Sequence, residues 1–547
     1  PQFVRDQAYA GTDPRRPEDF EDIFATNTAH VALSRLFFVR ICEDVGLTTR
    51  KLSNCGVAVW RQFVENIKDD YADLLWVAFR DVAHVYPSLF EPGLFDWFGR
   101  QDRRLDRLLE GILFRLNAFS FAKVDRDVLG TIYQQFRPKT ERKRLGEYYT
   151  DEVVVDYLLA RTGIATDPDL MQKRILDPAC GSFTFGVRAL PHLLRAGANL
   201  RPANQLELVG RCLVGWDINA FSAFLSHLSL LFATLDLYLQ AKREDPKFQM
   251  KGYTVELRNS LMPHEQQQTL TQAASLFDEP RTQPPFEYVV GNPPFVRNER
   301  LPEEDRRALE QLFTDVRHRN TDLSTFFLDE GVRDWLKDGG TLGMVAPLSL
   351  ANATMAERLR QRLSQWSLTE VVSLEWMAKE LFPEADIIPM LVMLRKEKPA
   401  PDHRVTVVGG LQGKAELRRA IDSPRFRARH ASEIPYDEWL ALSPTGDWPL
   451  EVRKDDLPVL QKLRRLPRLG SLLVDARYGV KLSGARIARA REREDARAGE
   501  VQFVTGQDVC AFQCTEADEW IDLSRLKEVA EPSLWGDLAF YRGNEGT

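Results

Sequence analysis

Hydrophobic positions recur at two spacings along this chain. Between residues 20 and 136 they fall three and four apart: Leu33, Leu36, Phe37 and Ile41, then Leu74, Leu75, Ala78, Phe79 and Val82. That is the period of helices with one buried stripe, and hardly any stretch there alternates with a period of two. The pattern predicts a helical region with a structural role. From about 146 to 400 the texture changes. Short apolar runs end in turns and lead into helical patterns: RILD (174–177), CLVGWD (212–217), YTVELR (253–258), FEYVVG (286–291), TLGMVAP (341–347) and IIPMLVMLRK (387–396). Strands alternating with helices predict an α/β fold, a mainly parallel, doubly wound sheet covered on both faces. The polar stretch 263–285 reads as a surface loop, and beyond about 400 the pattern becomes irregular.

Charge changes this picture locally. The 547 residues carry a net charge of −7, so the surface as a whole does not bind polyanions. Residues 461–490 nevertheless hold eight basic residues, among them Arg464, Arg465, Arg468, Arg477, Lys481 and Arg486, against the single acid Asp475. Such a concentration reads either as a solvated basic face or as a groove for nucleic-acid phosphates. The run RPKTERKR (137–144) is a solvated connector or a phosphate contact. With 44% hydrophobic and 28% charged residues the composition is that of a globular protein of two to four domains. The six cysteines have no zinc-site spacing and fit a reducing cytosol, so no metal is expected and a cytoplasmic location is. No run of about 18 apolar residues is expected to cross a membrane, and Ala220 to Leu235, broken by Ser222, Ser226, His227 and Ser229, reads as a buried helix. No signal peptide is read, and a first residue of Pro suggests a trimmed form of a longer protein.

Three motifs carry chemistry. In Ile175-Leu176-Asp177-Pro178-Ala179-Cys180-Gly181-Ser182 an apolar strand runs into an acid and a turn of small residues, followed by a helical run. Such a turn brings backbone N–H groups to a ligand carboxylate or phosphate, and Asp177 can accept from a ligand ammonium. In Val214-Gly215-Trp216-Asp217 an acid ends the next strand, where it either caps the following helix or binds ribose hydroxyls. In Gly291-Asn292-Pro293-Pro294-Phe295 two prolines stiffen the loop after a buried strand. An exocyclic amine is a poor nucleophile because its lone pair is delocalised into the ring. The Asn292 side-chain oxygen and the Pro293 carbonyl can accept from that amine and free the lone pair, while Phe295 offers a face for stacking.

With these residues in that order, the chain resembles the S-adenosylmethionine-dependent N6-adenine DNA methyltransferases of the gamma type: LGEYYT (145–150), then DPACGS, then NPPF, then a target-recognition region. It is similar to Type I modification subunits, fused Type II restriction-modification enzymes and related phage-defence methyltransferases. The resemblance implies a helical N-terminal domain (1–136), a methyltransferase domain (137–400), a connector (401–465) and a partial target-recognition domain (466–547) begun by LGSLLVDARYGVKLSG (469–484). It implies that Asp177, Pro178, Ala179, Cys180 and Gly181 hold the methionine part of S-adenosylmethionine, with Gly146, Tyr149 and Thr150 closing over it. Asp217 then binds the ribose, Ile218 lies against the cofactor adenine, and Asn259 stands where the family often has an acid. Asn292, Pro293, Pro294 and Phe295 form the target-amine site, and Thr321-Asp322-Leu323-Ser324 matches an Asp-Leu-aromatic segment with Ser in the aromatic place. The implied activity is methyl transfer to the adenine N6 of double-stranded DNA by base flipping, in a restriction-modification or phage-defence system with other subunits as partners.

Two departures stand out. Phe183 replaces a usual Gly after DPACGS, and either narrows the cofactor pocket or points into the core. Asp151 replaces a usual Pro and puts a negative charge near the cofactor carboxylate. They support an alternative, a catalytically weak DNA-binding scaffold that uses the fold for sensing. Methylation of RNA or of a protein glutamine would also use an NPP motif, but the basic C-terminal segment and DPACGS argue against it. A cytosine N4 enzyme commonly has Ser before Pro-Pro. No nuclease motif is recognised.

Overall fold

The computed structural model describes residues 17–63, 71–83, 86–90, 94–96, 103–121, 150–250, 252–262, 285–316, 321–383, 387–443 and 446–463, with four short strand pieces between 500 and 522. The chain divides into two compact units, Pro1–Leu460 and Gln461–Thr547.

In the first unit, the helices that come first among the described residues include α1 (Pro17–Asp44), α2 (Asn54–Phe63), α3 (Tyr71–Ala83) and α4 (Arg103–Leu116). There follow α5 (Glu152–Arg161), β1 (Ile175–Asp177), α6 (Thr184–Ala196), α7 (Pro202–Cys212), β2 (Leu213–Asp217), α8 (Ala220–Glu244), β3 (Thr254–Leu257), β4 (Phe286–Gly291), α9 (Glu303–Leu312), α10 (Leu323–Glu330) and β5 (Leu336–Pro347). Then come α11 (Glu357–Leu363), β6 (Ser367–Ser373), β7 (Pro389–Arg395), β8 (Arg404–Val408), α12 (Lys414–Asp422) and β9 (Ala431–Pro435). The nine strands form one sheet in the order β3-β2-β1-β4-β5-β7-β6-β8-β9. Strands β1 to β5 pair in parallel, and β7 enters antiparallel between β5 and β6.

The apolar runs read as strands because both faces are buried. Along β7, Met390, Val392 and Leu394 belong to one core while Leu391 and Met393 belong to the other; along β4, Phe286 and Val289 alternate with Tyr288 and Val290. A strand covered on both sides has no polar alternation to show. The N-terminal helices cover α8: Phe38 lies 5.9 Å from Phe232 edge to face, and Tyr86 lies 5.2 Å from Tyr238. Helix α8 is, against the expectation from sequence, long and apolar enough by composition to span a bilayer; most of it is buried within the protein as a core helix.

The stretch 401–465, expected as a connector, carries β8 and β9 of the same sheet. In the second unit β10 (Glu500–Gln502) pairs antiparallel with β13 (Trp520–Asp522), and β11 (Val509–Cys510) with β12 (Gln513–Cys514).

Candidate active site

The chain leaves β1 for β2 on one side, and β4 lies on the other. That reversal of strand order opens a crevice at the carboxyl ends of the strands. Asp177 ends β1, Asp217 ends β2 and Asn292 follows β4, so three of the motif residues meet there.

The turn after Asp177 is held by its neighbours. The Cys180 N–H donates to the Trp216 carbonyl at 3.0 Å, and the Gly181 N–H donates to Asp217 Oδ2 at 2.9 Å. Ser226, on α8, donates to the Gly181 carbonyl at 2.8 Å, and Ser260 donates to the Pro178 carbonyl at 2.6 Å. The serine that interrupts an apolar helix in the sequence is thus the one that fixes the turn. Cys180 is buried with its thiol 3.3 Å from Ser226 Oγ, and burial pushes that thiol well above its usual range, which leaves it unreactive.

Asp177 is 2% exposed. Its Oδ1 accepts from the Ala179 N–H at 3.3 Å. Burial, helped by the negative charge of Asp217, holds its carboxyl well above the usual carboxylate range, against the Ala179 N–H that pulls it down. A cation placed beside this carboxyl would favour its ionised form and oppose this upward shift. On Asp217 each carboxylate oxygen accepts a backbone N–H, Oδ1 from Asn219 at 2.8 Å and Oδ2 from Gly181. Ile218 packs at the edge of the core on the Trp216 side. Asn259 is buried and its side-chain oxygen accepts from the Leu261 N–H at 3.1 Å, closing its own turn.

Both departures from the family pattern find structural explanations. Phe183 adopts φ 61°, unique among the described non-glycine residues, which is why a glycine suits that place. Its ring is 1% exposed and lies in the core: a Cβ on Gly186 would stand 2.6 Å from it, and one on Gly215 3.3 Å. Phe183 therefore fills space that two glycines leave open and points away from the crevice. Asp151 caps α5 by accepting from the Val153 N–H at 3.0 Å, and its other oxygen pairs with Lys414 on α12 at 2.7 Å. Its charge is answered on both oxygens.

The Gly291–Phe295 loop is set by its surroundings. The Asn292 Nδ2 donates to Thr150 Oγ1 at 3.0 Å, and among the described residues the buried Asn292 Oδ1 has no partner. Pro293 is buried, Pro294 half-buried, and Phe295 is 9% exposed within the core that contains Tyr288 and Val290. Downstream, the Leu323 N–H donates to the Val296 carbonyl and the Asn298 N–H to the Thr321 carbonyl, both at 2.9 Å. The Thr321–Ser324 segment therefore ties down the chain immediately after the NPPF loop. Burial pushes Asp322, the cap of α10, up to about 6, against the Ser324 N–H and the Arg297 charge. Thr150 itself is placed by α5, which is anchored through buried Glu370 on β6, partner of Tyr157, Arg161 (2.9 Å) and Arg427.

Two groups at the site escaped sequence reasoning. Asn219 caps α8 through its Oδ1, and its buried Nδ2 has no partner among the described residues, next to Asp217. Its signal was the Asp-x-Asn before an apolar helical run. Ser260 left no signal, because its partner is 82 residues away. Gly146 and Tyr149, and the basic residues Arg464, Arg465, Arg468, Arg477, Lys481 and Arg486, lie outside the described residues.

Residues 211–382 match the family described as Eco57I restriction-modification methylase. The Type II methyltransferase M.BstVI of Geobacillus stearothermophilus is 26% identical over 220 residues, 40% of this chain and 36% of that protein. The Type I restriction enzyme MjaIX methylase subunit of Methanocaldococcus jannaschii is 27% identical over 204 residues, 35% of this chain and 33% of its own. The type I restriction-modification methyltransferase subunit of Streptococcus thermophilus aligns with TM-score 0.48 at 14% identity, covering 82% of this chain and 96% of that one. The alignments span about a third of the length of these two curated relatives. The chain is similar to the methyltransferases of restriction-modification systems, as its motifs imply.

Proposed function

We propose that this chain transfers a methyl group from S-adenosylmethionine to the N6 amine of adenine in double-stranded DNA, within a restriction-modification or phage-defence system. One observation carries the reading: Asn292 Oδ1 is a buried acceptor without a partner among the described residues, on a loop that adjoins the buried acid Asp177. Leaving such an acceptor unsatisfied costs about 1–3 kcal/mol, which an incoming amine recovers.

The residues present fit the cofactor. Asp177 offers a buried carboxyl for an ammonium, Asp217 ends β2 with a carboxylate where a ribose would lie, Asn219 Nδ2 beside it is a buried donor with no partner among the described residues, and Gly181, at φ 55°, leaves open space on the turn. S-adenosylmethionine, when bound, supplies a methyl already activated on a sulfonium, so this chain needs neither a metal nor a covalent nucleophile. What the protein supplies is position: Asn292 Oδ1 and the Pro293 carbonyl accept from the target amine and localise its lone pair, and Thr321–Ser324 ties down the chain immediately after their loop. Because the amine is paired inside the duplex, the base is extruded first. The two sequence departures that favoured a quiet scaffold lose their force, since Phe183 lies in the core and Asp151 is capped and paired.

The test is nucleoside mass spectrometry of DNA from cells with and without the protein, together with the purified chain acting on that DNA. N6-methyladenine that depends on the protein is the expected result; N4-methylcytosine alone, or no new methylated base, overturns the reading.

The basic segment 461–490 is proposed to contact DNA phosphates. Neutralising Arg464, Arg465 and Arg468 together is expected to weaken DNA binding and to lower the slope of log affinity against log salt by up to about three. Titrations at several salt concentrations measure this, and an unchanged slope places those arginines away from the phosphates.

A further inference from the structure

An asparagine serves this chemistry in only one of its two amide orientations, with the oxygen towards the target amine. Two observations bear on what selects it. Asn292 Nδ2 donates to Thr150 Oγ1 at 3.0 Å, and Thr150 is 7% exposed. Among the described residues the Thr150 hydroxyl accepts this bond and donates to none. A hydroxyl can take either role, so Thr150 alone does not fix the amide: were its proton turned to Asn292, the amide would flip and present its NH2 to the target. The orientation is fixed only when that proton is engaged elsewhere. Thr150 precedes the cap of α5 at the rim of the cofactor crevice, where an acceptor carried by the cofactor would engage it in a hydrogen bond.

We propose that Thr150 is a positioning residue that couples the two halves of the site: a carboxylate in the cofactor crevice accepts a hydrogen bond from the Thr150 hydroxyl, which obliges the Thr150 oxygen to accept from Asn292 and turns Asn292 Oδ1 towards the target amine. The inference rests on the reading of the site as an amine methyltransferase. It gives the protein a means of withholding its acceptor until the amino-acid end of the cofactor is in place. The loop itself need not move: its two prolines stiffen it, and Thr321–Ser324 ties down the chain that leaves it at Val296 and Asn298. Only an amide orientation changes, and the energetic difference between the two orientations is about one hydrogen bond.

The test reads how much the target amine contributes to DNA affinity. Duplexes carrying adenine or purine at the methylated position are bound by the protein in the presence of S-adenosylhomocysteine, or of methylthioadenosine, which lacks the amino-acid carboxylate. The cost of extruding purine rather than adenine is common to all arms and cancels. With S-adenosylhomocysteine, the preference for adenine over purine is expected to exceed that seen with methylthioadenosine by about fivefold to tenfold, one hydrogen bond. In Thr150→Val the excess vanishes, while Thr150→Ser, which keeps the hydroxyl, retains it. Single-turnover methyl transfer at saturating cofactor falls about tenfold to a hundredfold in Thr150→Val, the scale of a displaced reacting group. An excess that persists in Thr150→Val, or is equal for the two nucleosides in the unaltered protein, overturns the coupling even though the protein methylates adenine. Absence of methyl transfer by the unaltered protein overturns the underlying reading instead.

Discussion

Asn292→Ala is expected to leave cofactor affinity close to that of the unaltered protein while cutting single-turnover methyl transfer by at least about 100-fold, the scale of losing one preorganised polar group. The expectation follows from the two ends of the side chain. Nδ2 spends its bond on Thr150, so it is an anchor; Oδ1 is buried with no partner among the described residues, so it is the working end. Truncation removes both, but touches neither Asp177 nor the turn through Gly181, whose bonds run to Trp216, Asp217, Ser226 and Ser260. Losing the Nδ2–Thr150 bond costs about 0.5–1.5 kcal/mol and losing the unsatisfied acceptor offsets part of it, so the variant is expected to melt at most slightly below the parent. Phe295 is a poorer probe of the same loop. It is buried in the core, so Phe295→Ala would lose about 3–5 kcal/mol of packing and mix a folding defect with any loss of base capture. Calorimetry with S-adenosylmethionine and single-turnover assays on a duplex bearing the target site separate the two properties. A retained rate in Asn292→Ala would mean that the loop is only structural.

How far the sequence reveals this site depends on how local each feature is. FEYVVG and the strand ending at Asp177 are legible because a strand buried on both faces is a continuous apolar run, and the turn that follows uses small residues. The parallel order of the central strands follows from their alternation with helices. What was not legible depends on partners far along the chain. Whether Phe183 blocks the crevice is decided by room at Gly215, and whether the Asp151 charge matters is decided by Lys414. Ser226 reads as a flaw in an apolar helix until the Gly181 carbonyl is seen beside it. Strands β8 and β9 were missed for another reason: Arg404–Val408 is short and lies in a stretch of irregular pattern, so only its pairing with β6 and β9 reveals it as part of the sheet.

Gly291→Ala is expected to act on the cofactor, although Gly291 belongs to the loop assigned to the target. A Cβ at Gly291 would stand 2.8 Å from Asp177 Oδ1 and 3.3 Å from Pro178 Cδ, so the acid and the loop are in contact across the β1–β4 boundary. Accommodating a methyl group in such a place costs about 1–3 kcal/mol, and here the atom most easily displaced is the Asp177 oxygen proposed to receive the ligand ammonium. Cofactor affinity should fall by about tenfold to a hundredfold in Gly291→Ala. Asp177→Ala should lose a similar amount, about 1–3 kcal/mol, as expected for a charge-assisted hydrogen bond. The double variant distinguishes a shared cause from two independent injuries. With Asp177 truncated, the Gly291 methyl meets no oxygen, and its own cost to cofactor binding largely disappears. Asp177→Ala combined with Gly291→Ala should therefore bind S-adenosylmethionine about as weakly as Asp177→Ala alone, a coupling of about 1–2 kcal/mol in the cycle. Calorimetric dissociation constants for the four proteins measure it. Additive losses would mean that Gly291 acts by deforming β4 and not through the acid, and the contact between the cofactor acid and the target loop would have no functional weight.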